Sequence, residues 1–511
     1  MFRKSIPAAL LLAVAVSVTI AEDWTRFRGP NGSAVSESSV PTEFSADKNL
    51  KWKKTLPGRG VSSPIVVGDK LFVTSYSGYG VPDAGDDAKL EDLERHLQCF
   101  NKKTGEELWK KTIPAAMPED EYSGAGVPAH GYASHTPVSD GTHVFCFFGK
   151  TGVMAFDLDG KQLWHESVGK ESGRARWGSA ASPIEHGDVV IVNASDESES
   201  LIALDKKTGK EKWRAEAAGL AGVWGTPVLM ESATGPEVVI AVPNEIWAMD
   251  AVTGKFKWFA PGPQDRSTSH SLIPGDGTVI SIGGRGGKGM SVKVGGKDDV
   301  NSKDRGQDAV VWESNASGRF ASPVKYKDLV FHVSGNVVVA FNAETGEKVK
   351  EARIPGASAA RGGGGGRGGG RPGGGGFGGG EGGRGGRGPG GEGRDGGDQE
   401  ELIPTSLQQE RGGRGGFGGG QRGGGQRGGR GGGFGGGRFG SLDYASPVVA
   451  GGKLYVTLGK GQIHVFNADK DLELVKSNDL SADTAGFGAS PAISDGHLYI
   501  RSHSTLYCFG E

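Results

Sequence analysis

The chain has 511 residues, a formal net charge of -2 and three cysteines. That length would accommodate several ordinary domains, but self-similarity from about residue 50 onward points to one large closed unit. Cys99, Cys146 and Cys508 are odd in number and scattered, which excludes a disulfide framework as the basis of the fold. At the N-terminus, Arg3-Lys4, the apolar run Ala8 to Ile20 and the small Ala21 read as a cleaved secretory signal over 1–21, too short for a spanning helix. No cysteine follows to carry a lipid anchor, and no later stretch is long and apolar enough to cross a membrane. The expectation is a monomeric periplasmic or secreted protein.

After an N-terminal extension over 22–48, repeats occupy 49–360 and resume over 441–511. Six tryptophans, Trp52, Trp109, Trp164, Trp213, Trp258 and Trp312, lie 57, 55, 49, 45 and 54 residues apart. The clearest copies run Ala203-Leu204-Asp205-Lys206-Lys207-Thr208-Gly209 to Trp213, and Ala248-Met249-Asp250-Ala251-Val252-Thr253-Gly254 to Trp258. Each unit opens with Ser-Pro or its equivalent, at Ser63-Pro64, Thr136-Pro137, Ser182-Pro183, Thr226-Pro227, Ser271-Leu272, Ser322-Pro323, Ser446-Pro447 and Ser490-Pro491, eight in all. Turns such as Gly68-Asp69 and Asp140-Gly141 then join a first strand to a second. Four short antiparallel strands repeated eight times predict an all-β, eight-bladed β-propeller, because no such unit buries its apolar face alone. A third strand at Leu506 to Phe509 lacks a fourth, and a fourth at Leu50 to Trp52 lacks a third. Both chain ends are therefore expected to complete one blade, which removes the open edges. Lys350 and Val475 stand where the repeat expects Trp, so their blades are expected to be the weakest.

The Ala-x-Asp/Asn-x-x-Thr-Gly-x-x-x-Trp phrase resembles the tryptophan-docking motif of the pyrroloquinoline-quinone-like (PQQ-like) propeller repeat family. That family includes quinoprotein dehydrogenases and the propeller of the BAM outer-membrane assembly complex. The resemblance covers about residues 50–350 and 441–511, and implies that each docking Trp packs on the neighbouring blade's phrase, where the small Ala and the Gly make room. The opening Trp24-Thr25-Arg26-Phe27-Arg28-Gly29-Pro30 is similar to the mature N-terminus of exported members of planctomycete type. For a dehydrogenase the resemblance implies pyrroloquinoline quinone with calcium, a vicinal Cys-Cys ring, a Trp platform, a Glu/Asn/Asp calcium set and an Asp base. No two cysteines are adjacent here and no calcium set can be matched. No cofactor and no catalytic residue is therefore expected. The chain reads as a non-catalytic ligand- or protein-binding scaffold, with a quinoprotein oxidoreductase or an outer-membrane assembly scaffold as alternatives.

Between the sixth and seventh units, 361–440 holds 44 of the 93 glycines, with 12 arginines, 7 acidic residues and four phenylalanines spaced among them. Such a segment cannot bury enough apolar surface to offset its ordering entropy and is expected to be disordered. Its charge of +5 leaves -7 on the rest of the chain, so it is a basic arm on an acidic body, suited to acidic polymers. Arg-Gly-Gly repeats bind RNA in other settings; export argues against a nucleic-acid partner here.

First-to-second and third-to-fourth turns are short in nearly every unit, whereas long segments such as Gly78 to His96 and Thr112 to Tyr132 fall on the opposite face, the expected working face. Beside the innermost strands stand Arg59, His135, Trp177, Trp224, His270, Arg319, Phe320, Tyr444 and Phe487. They are expected either to plug the channel or to line its mouth with aromatic walls and cationic or imidazole handles, suited to a flat anionic ligand or a sugar such as a polysaccharide unit. His130 and His135 share a loop with no third metal ligand placed by spacing. Asp196-Glu197-Ser198-Glu199 reads as a solvated hairpin tip, and Gly283 to Gly289 lacks the strand-to-helix context of a phosphate loop.

Overall fold

The computed structural model describes residues 22–123, 126–284, 288–301, 308–318, 320–357 and 444–511. The segment 1–21 read as a signal, Arg319 and the Gly/Arg segment 361–440 lie outside them. Eight antiparallel sheets form the ring, spanning 65–114, 138–166, 184–216, 228–261, 273–314, 324–353 and 448–479 as blades 1 to 7, with 492–509 joined by 50–55 as blade 8. The closure expected from the chain ends is present: Trp52 pairs with Cys508 and Thr55 with Thr505 across an antiparallel ladder.

Five tryptophans dock as expected, and in a uniform way. The indole N–H donates to the carbonyl just after the Asp or Asn of the next blade's phrase: Trp52 to Lys102 (3.0 Å), Trp109 to Leu158 (3.1 Å), Trp164 to Lys206 (2.8 Å), Trp213 to Ala251 (3.2 Å) and Trp312 to Ala343 (2.9 Å). The turn glycine lies against the ring. Gly254 has φ +70°, and a Cβ there would come within 2.5 Å of the Trp213 ring, so the position requires glycine on both counts.

Trp258 departs from this pattern. It is fully buried, but its indole N–H donates to Glu237 Oε2 of its own blade at 2.8 Å. Blade 5 offers no Thr-Gly turn to receive it; instead Asp298–Asp299, from blade 5's long third-to-fourth connection, pairs in parallel with Trp258 and Phe259.

The blades without Trp have replacements. Lys350 does stand in the Trp position, opposite Ala340. The blade 7 turn that would receive a ring there carries Leu472, 2% exposed at φ +50°, where other blades carry the glycine. In blade 7 the sequence register fails by one residue: Val465 faces Lys476, not Val475, because the turn from Asn467 to Glu473 is one residue longer than that from Asp205 to Lys210. Beyond Lys476 there is no turn to dock on, since blade 8 is closed by the chain ends. Residues 40–44 cover this seam: Asn478 bridges the Phe44 N–H (2.9 Å) and the Thr42 carbonyl (3.0 Å), and the Phe44 ring meets Phe509 at 4.6 Å.

The N-terminal extension is built into the fold. Trp24 is fully buried and exchanges two main-chain hydrogen bonds with Val66 on the innermost strand of blade 1. The segment then crosses the channel on the side of the first-to-second turns. Thr25 accepts from Ser139 N–H, Arg28 Nη2 donates to the Pro323 carbonyl, and Asn31 Nδ2 to the Leu229 carbonyl. Val35–Ser36 finally adds a parallel fifth strand to Val448–Ala450 of blade 7.

Cys99 and Cys508 oppose Trp109 and Trp52 as the small residue of the phrase; both are buried free thiols, pushed up to about 12 by burial. Trp213→Ala, which removes a buried ring from a formed dock, should cost about 3–5 kcal/mol. Lys476→Ala, which removes only a surface pair to Glu43, should leave the urea midpoint nearly unchanged. Equal midpoint shifts for the two variants would contradict the docking assignment.

Candidate functional site

The Ser or Thr that opens each unit faces the channel, and together these residues form a hydrogen-bonded ring. The main-chain N–H of Ser63 donates to Thr136 Oγ1 (2.9 Å), Thr136 to Ser182 Oγ (3.0 Å), Ser182 to Thr226 Oγ1 (3.0 Å) and Thr226 to Ser271 Oγ (3.1 Å). The series continues from Ser271 to Ser322 (2.9 Å), Ser322 to Ser446 (3.0 Å) and Ser446 to Ser490 (2.9 Å). The step from Ser490 to Ser63 is open, and Ser63 Oγ is a buried atom with no partner among the described residues. Proline after most of these residues holds the backbone extended and directs each N–H sideways to the next blade rather than along a ladder.

Above this ring lies a chamber of about 160 Å³, lined by the ring hydroxyls, by the blade-connecting segments and by Phe27 of the N-terminal segment. Phe27 enters from the side of the first-to-second turns, so the chamber has its floor there and its mouth on the loop-rich face. Four of the nine residues expected at the mouth meet here. Trp177 and Trp224 stack at 5.3 Å and 20°, and Phe320 and Tyr444 meet at 4.6 Å and 40°. Four of the others do not line this chamber. Arg59 holds the Ala485 carbonyl (3.0 Å) and His503 Nδ1 (2.8 Å) at the closing seam. His270 is buried against Gly283 and bonds Ser281 Oγ (2.8 Å), and Phe487 is buried beside Tyr507. His135 belongs to a second cavity, and Arg319 is outside the described residues.

That second cavity, of about 20 Å³, corrects the expectation of a solvated acidic tip. Asp196 and Glu197 sit in a one-turn helix, Ser195–Ser198, and are 4% and 2% exposed. Around them, Arg95 pairs with Glu119, and Lys150 with Asp120 at 3.1 Å. Ser179 Oγ donates to Glu197 Oε1 (2.6 Å), so its oxygen is left to accept from His135 Nε2 (2.9 Å), which places the imidazole proton on that nitrogen. Asp196 Oδ2 accepts the Trp224 indole N–H at 3.2 Å, tying the cluster to the chamber wall. Asp196 Oδ1, Glu197 Oε2 and His135 Nδ1 are buried without partners. Burial raises the Glu197 carboxyl to about 8 and Asp196 to about 6, and it lowers His135 to about 3. Burial therefore favours the protonated form of Glu197.

A family profile described as outer membrane protein assembly factor BamB matches residues 77–219 and 194–362, more than half of the chain. The chain belongs to this PQQ-like propeller family. It is 26% identical over 258 residues to a polyvinylalcohol dehydrogenase of Pseudomonas sp, covering 41% of this chain and 35% of that protein. It is also 28% identical over 151 residues to the serine/threonine-protein kinase AfsK of Streptomyces griseus, covering 27% of this chain and 18% of the kinase. The matched stretch thus spans about a third or less of these curated relatives. Among solved structures, BamB from Moraxella catarrhalis aligns at TM-score 0.51 and 14% identity, covering 90% of this chain and 97% of that one. A quinohemoprotein alcohol dehydrogenase from Comamonas testosteroni aligns at 0.57 and 11%, covering 96% and 81%. At these identities the likeness is one of fold.

Pyrroloquinoline quinone is a flat ring system bearing carboxylates, so holding it with calcium takes stacking planes, cations and a set of oxygen ligands. The chamber supplies planes in Trp177 and Trp224. Its described lining carries no Lys or Arg, and His130, its one imidazole, has both nitrogens engaged by Ser134 Oγ (2.6 Å) and the Trp177 carbonyl (2.7 Å). No group of three or more His, Cys, Asp or Glu placed to hold a metal occurs among the described residues. The described lining does not fit the carboxylates of this cofactor.

The sequence missed the hydroxyl ring, Phe27 and the Asp196–Glu197 pair. Only the ring left a signal, in the eightfold Ser/Thr opening. Protonation of Glu197 makes a pH prediction. Its folded value is raised from 4.5 to about 8, so its contribution to stability is present below 4.5 and is lost as pH rises through 8. Buried His135, His270 and His332, lowered from 6.5, act with the opposite sign, losing stability as pH falls. Glu197→Gln should therefore gain on the native protein by up to about 1.4 kcal/mol per pH unit between pH 5 and 8. Parallel melting-temperature profiles for the two proteins would show that Glu197 is already ionised.

Proposed function

We propose that this is an exported binding propeller whose ligand enters the one-ended chamber from the loop-rich face. The observation that carries the reading is the chamber itself: aromatic pairs at its mouth, a main-chain-braced hydroxyl ring at its waist and a floor supplied by Phe27. The walls are fixed by hydrogen bonds between neighbouring blades, so a ligand meets a preformed site. Export is supported by Arg3-Lys4 and the run Ala8 to Ile20, and no helix among the described residues is long and apolar enough to cross a membrane. The similarity to polyvinylalcohol dehydrogenases favours a second reading, a quinone-dependent oxidoreductase working through the same mouth. Trp177→Ala should abolish ligand-induced change in tryptophan fluorescence at the mouth, while the purified protein supplied with pyrroloquinoline quinone and calcium should give no dye-linked alcohol oxidation. Robust turnover that disappears in Trp177→Ala would replace the binding reading with the enzymatic one.

The Gly/Arg segment stands in sequence between the fourth strand of blade 6 and the first of blade 7, and Tyr444 just after it lines the chamber. We take the segment's role to be electrostatic capture of acidic polymers beside the mouth. Replacing 361–440 by a short linker should leave the melting temperature nearly unchanged, since loop length contributes only about 0.6 kcal/mol per doubling. It should also remove salt-sensitive binding to acidic polysaccharide. Equal binding by both forms would reduce the arm to a spacer.

A further inference from the structure

We infer that the chamber takes the terminal unit of a neutral glycan; this rests on the binding function proposed above and specifies its ligand. Three features of the chamber converge on that chemistry.

The first is the proton of each ring hydroxyl, which meets no acceptor among the described residues. In every one of the seven bonds the hydroxyl oxygen accepts a neighbour's main-chain N–H, and none of these bonds uses the hydroxyl's own hydrogen. The waist of the chamber is therefore a belt of O–H donors, with Ser63 Oγ at the open step lacking any partner among the described residues. A hydrocarbon ligand would leave this belt unpaired, at a cost for each group. The ligand must bring several oxygens.

The second is charge. The described lining offers no Lys, Arg, Asp or Glu, and His130 is half-buried, held below its ordinary value by desolvation and engaged at both nitrogens. Against the described lining an anion would find no counter-charge, which is far costlier than burying hydroxyls that find partners. The described lining therefore favours a neutral ligand over the flat anionic one that the sequence left open. The oxygens must be uncharged, and the Trp177–Trp224 and Phe320–Tyr444 pairs require apolar faces beside them. A pyranose has this combination: C–H faces that lie on aromatic rings and a rim of neutral hydroxyls.

The third is the closed end. Trp24 is pinned by its two bonds to Val66, Asn31 holds the Leu229 carbonyl, and Phe27 between them floors a space of about 160 Å³. A polymer cannot thread through, so only a chain end enters.

The test titrates the full-length protein with neutral methyl pyranosides of gluco, galacto, manno and xylo configuration, linear oligosaccharides of increasing length ending in each, the matching methyl uronides, and indole as a neutral aromatic probe. Binding is followed by tryptophan fluorescence and saturation-transfer NMR. At least one neutral series should bind with a Kd of about 1 mM or tighter. Molar affinity should stay flat with chain length, and the uronide should bind about tenfold more weakly, a difference of about 1.4 kcal/mol. Trp177→Ala and Phe320→Ala, both at half-buried positions and checked by melting temperature, should each weaken binding about tenfold. Affinity that climbs with chain length would overturn end recognition, and a uronide binding as well as its neutral parent would overturn the charge argument. Indole bound in a Trp177-dependent way, with no sugar bound, would overturn the glycan inference and leave the binding chamber standing. Failure of every probe would overturn both.

Discussion

The structure depends on one repeated constraint, the main-chain N–H at the head of each innermost strand. That group lies before the first ladder bond and faces the channel, where leaving it unpaired would carry the full desolvation cost of a buried donor. The next blade's Ser or Thr hydroxyl satisfies it, so seven of the eight junctions carry the same bond at 2.9 to 3.1 Å. Each bond links neighbouring blades at the smallest radius of the ring, where small angular errors would otherwise accumulate. The aromatic mouth and the floor are positioned relative to this belt.

At larger radius the docking tryptophans make the corresponding link, and the exceptions to them are informative. A ring docks only where the next blade presents a turn with glycine against it and a free carbonyl beside it. Blade 7 fills that notch with Leu472, and blade 8 has no such turn because its third and fourth strands come from opposite chain ends. The missing tryptophans therefore follow from the receiving blade rather than from decay of the donor. At the seam the work passes to Arg501, fully buried, whose Nη1 donates to the Ser62 carbonyl (3.2 Å), Ser62 Oγ (2.9 Å) and the Thr74 carbonyl (2.8 Å), and to the strap over 40–44. This is also where the hydroxyl ring is open.

The acidic cluster beside the chamber has a different character. Two of its four carboxyls are neutralised by Arg95 and Lys150, while Asp196 and Glu197 are buried with one oxygen each unpaired. Burial raises both carboxyls, Glu197 the further, because a buried charge costs more than a retained proton. The indole N–H of Trp224 is shared between the Gly178 carbonyl (3.0 Å) and Asp196 Oδ2 (3.2 Å), so this cluster touches the chamber wall.

The fold was legible in the sequence because its determinants are local and periodic: the Ala-x-Asp phrase, the Thr-Gly turn and the Ser-Pro opening each specify a short piece of backbone, and their count and spacing specify the ring. The orphan strands at Leu506 and Leu50 revealed the closure for the same reason. The register of Lys476 was not legible, since one extra residue in a turn shifts a strand without disturbing its composition. Of the site, the sequence identified aromatic candidates beside the channel, and Trp177, Trp224, Phe320 and Tyr444 do meet there. It could not separate them from His270 or Phe487, which have the same local setting but turn into the blades. Tertiary structure alone placed Phe27 in the channel, joined hydroxyls 44 to 124 residues apart into a belt and buried Asp196 with Glu197. Those outcomes depend on which groups face one another across the ring, and that is set by the packing of whole blades rather than by any spacing along the chain.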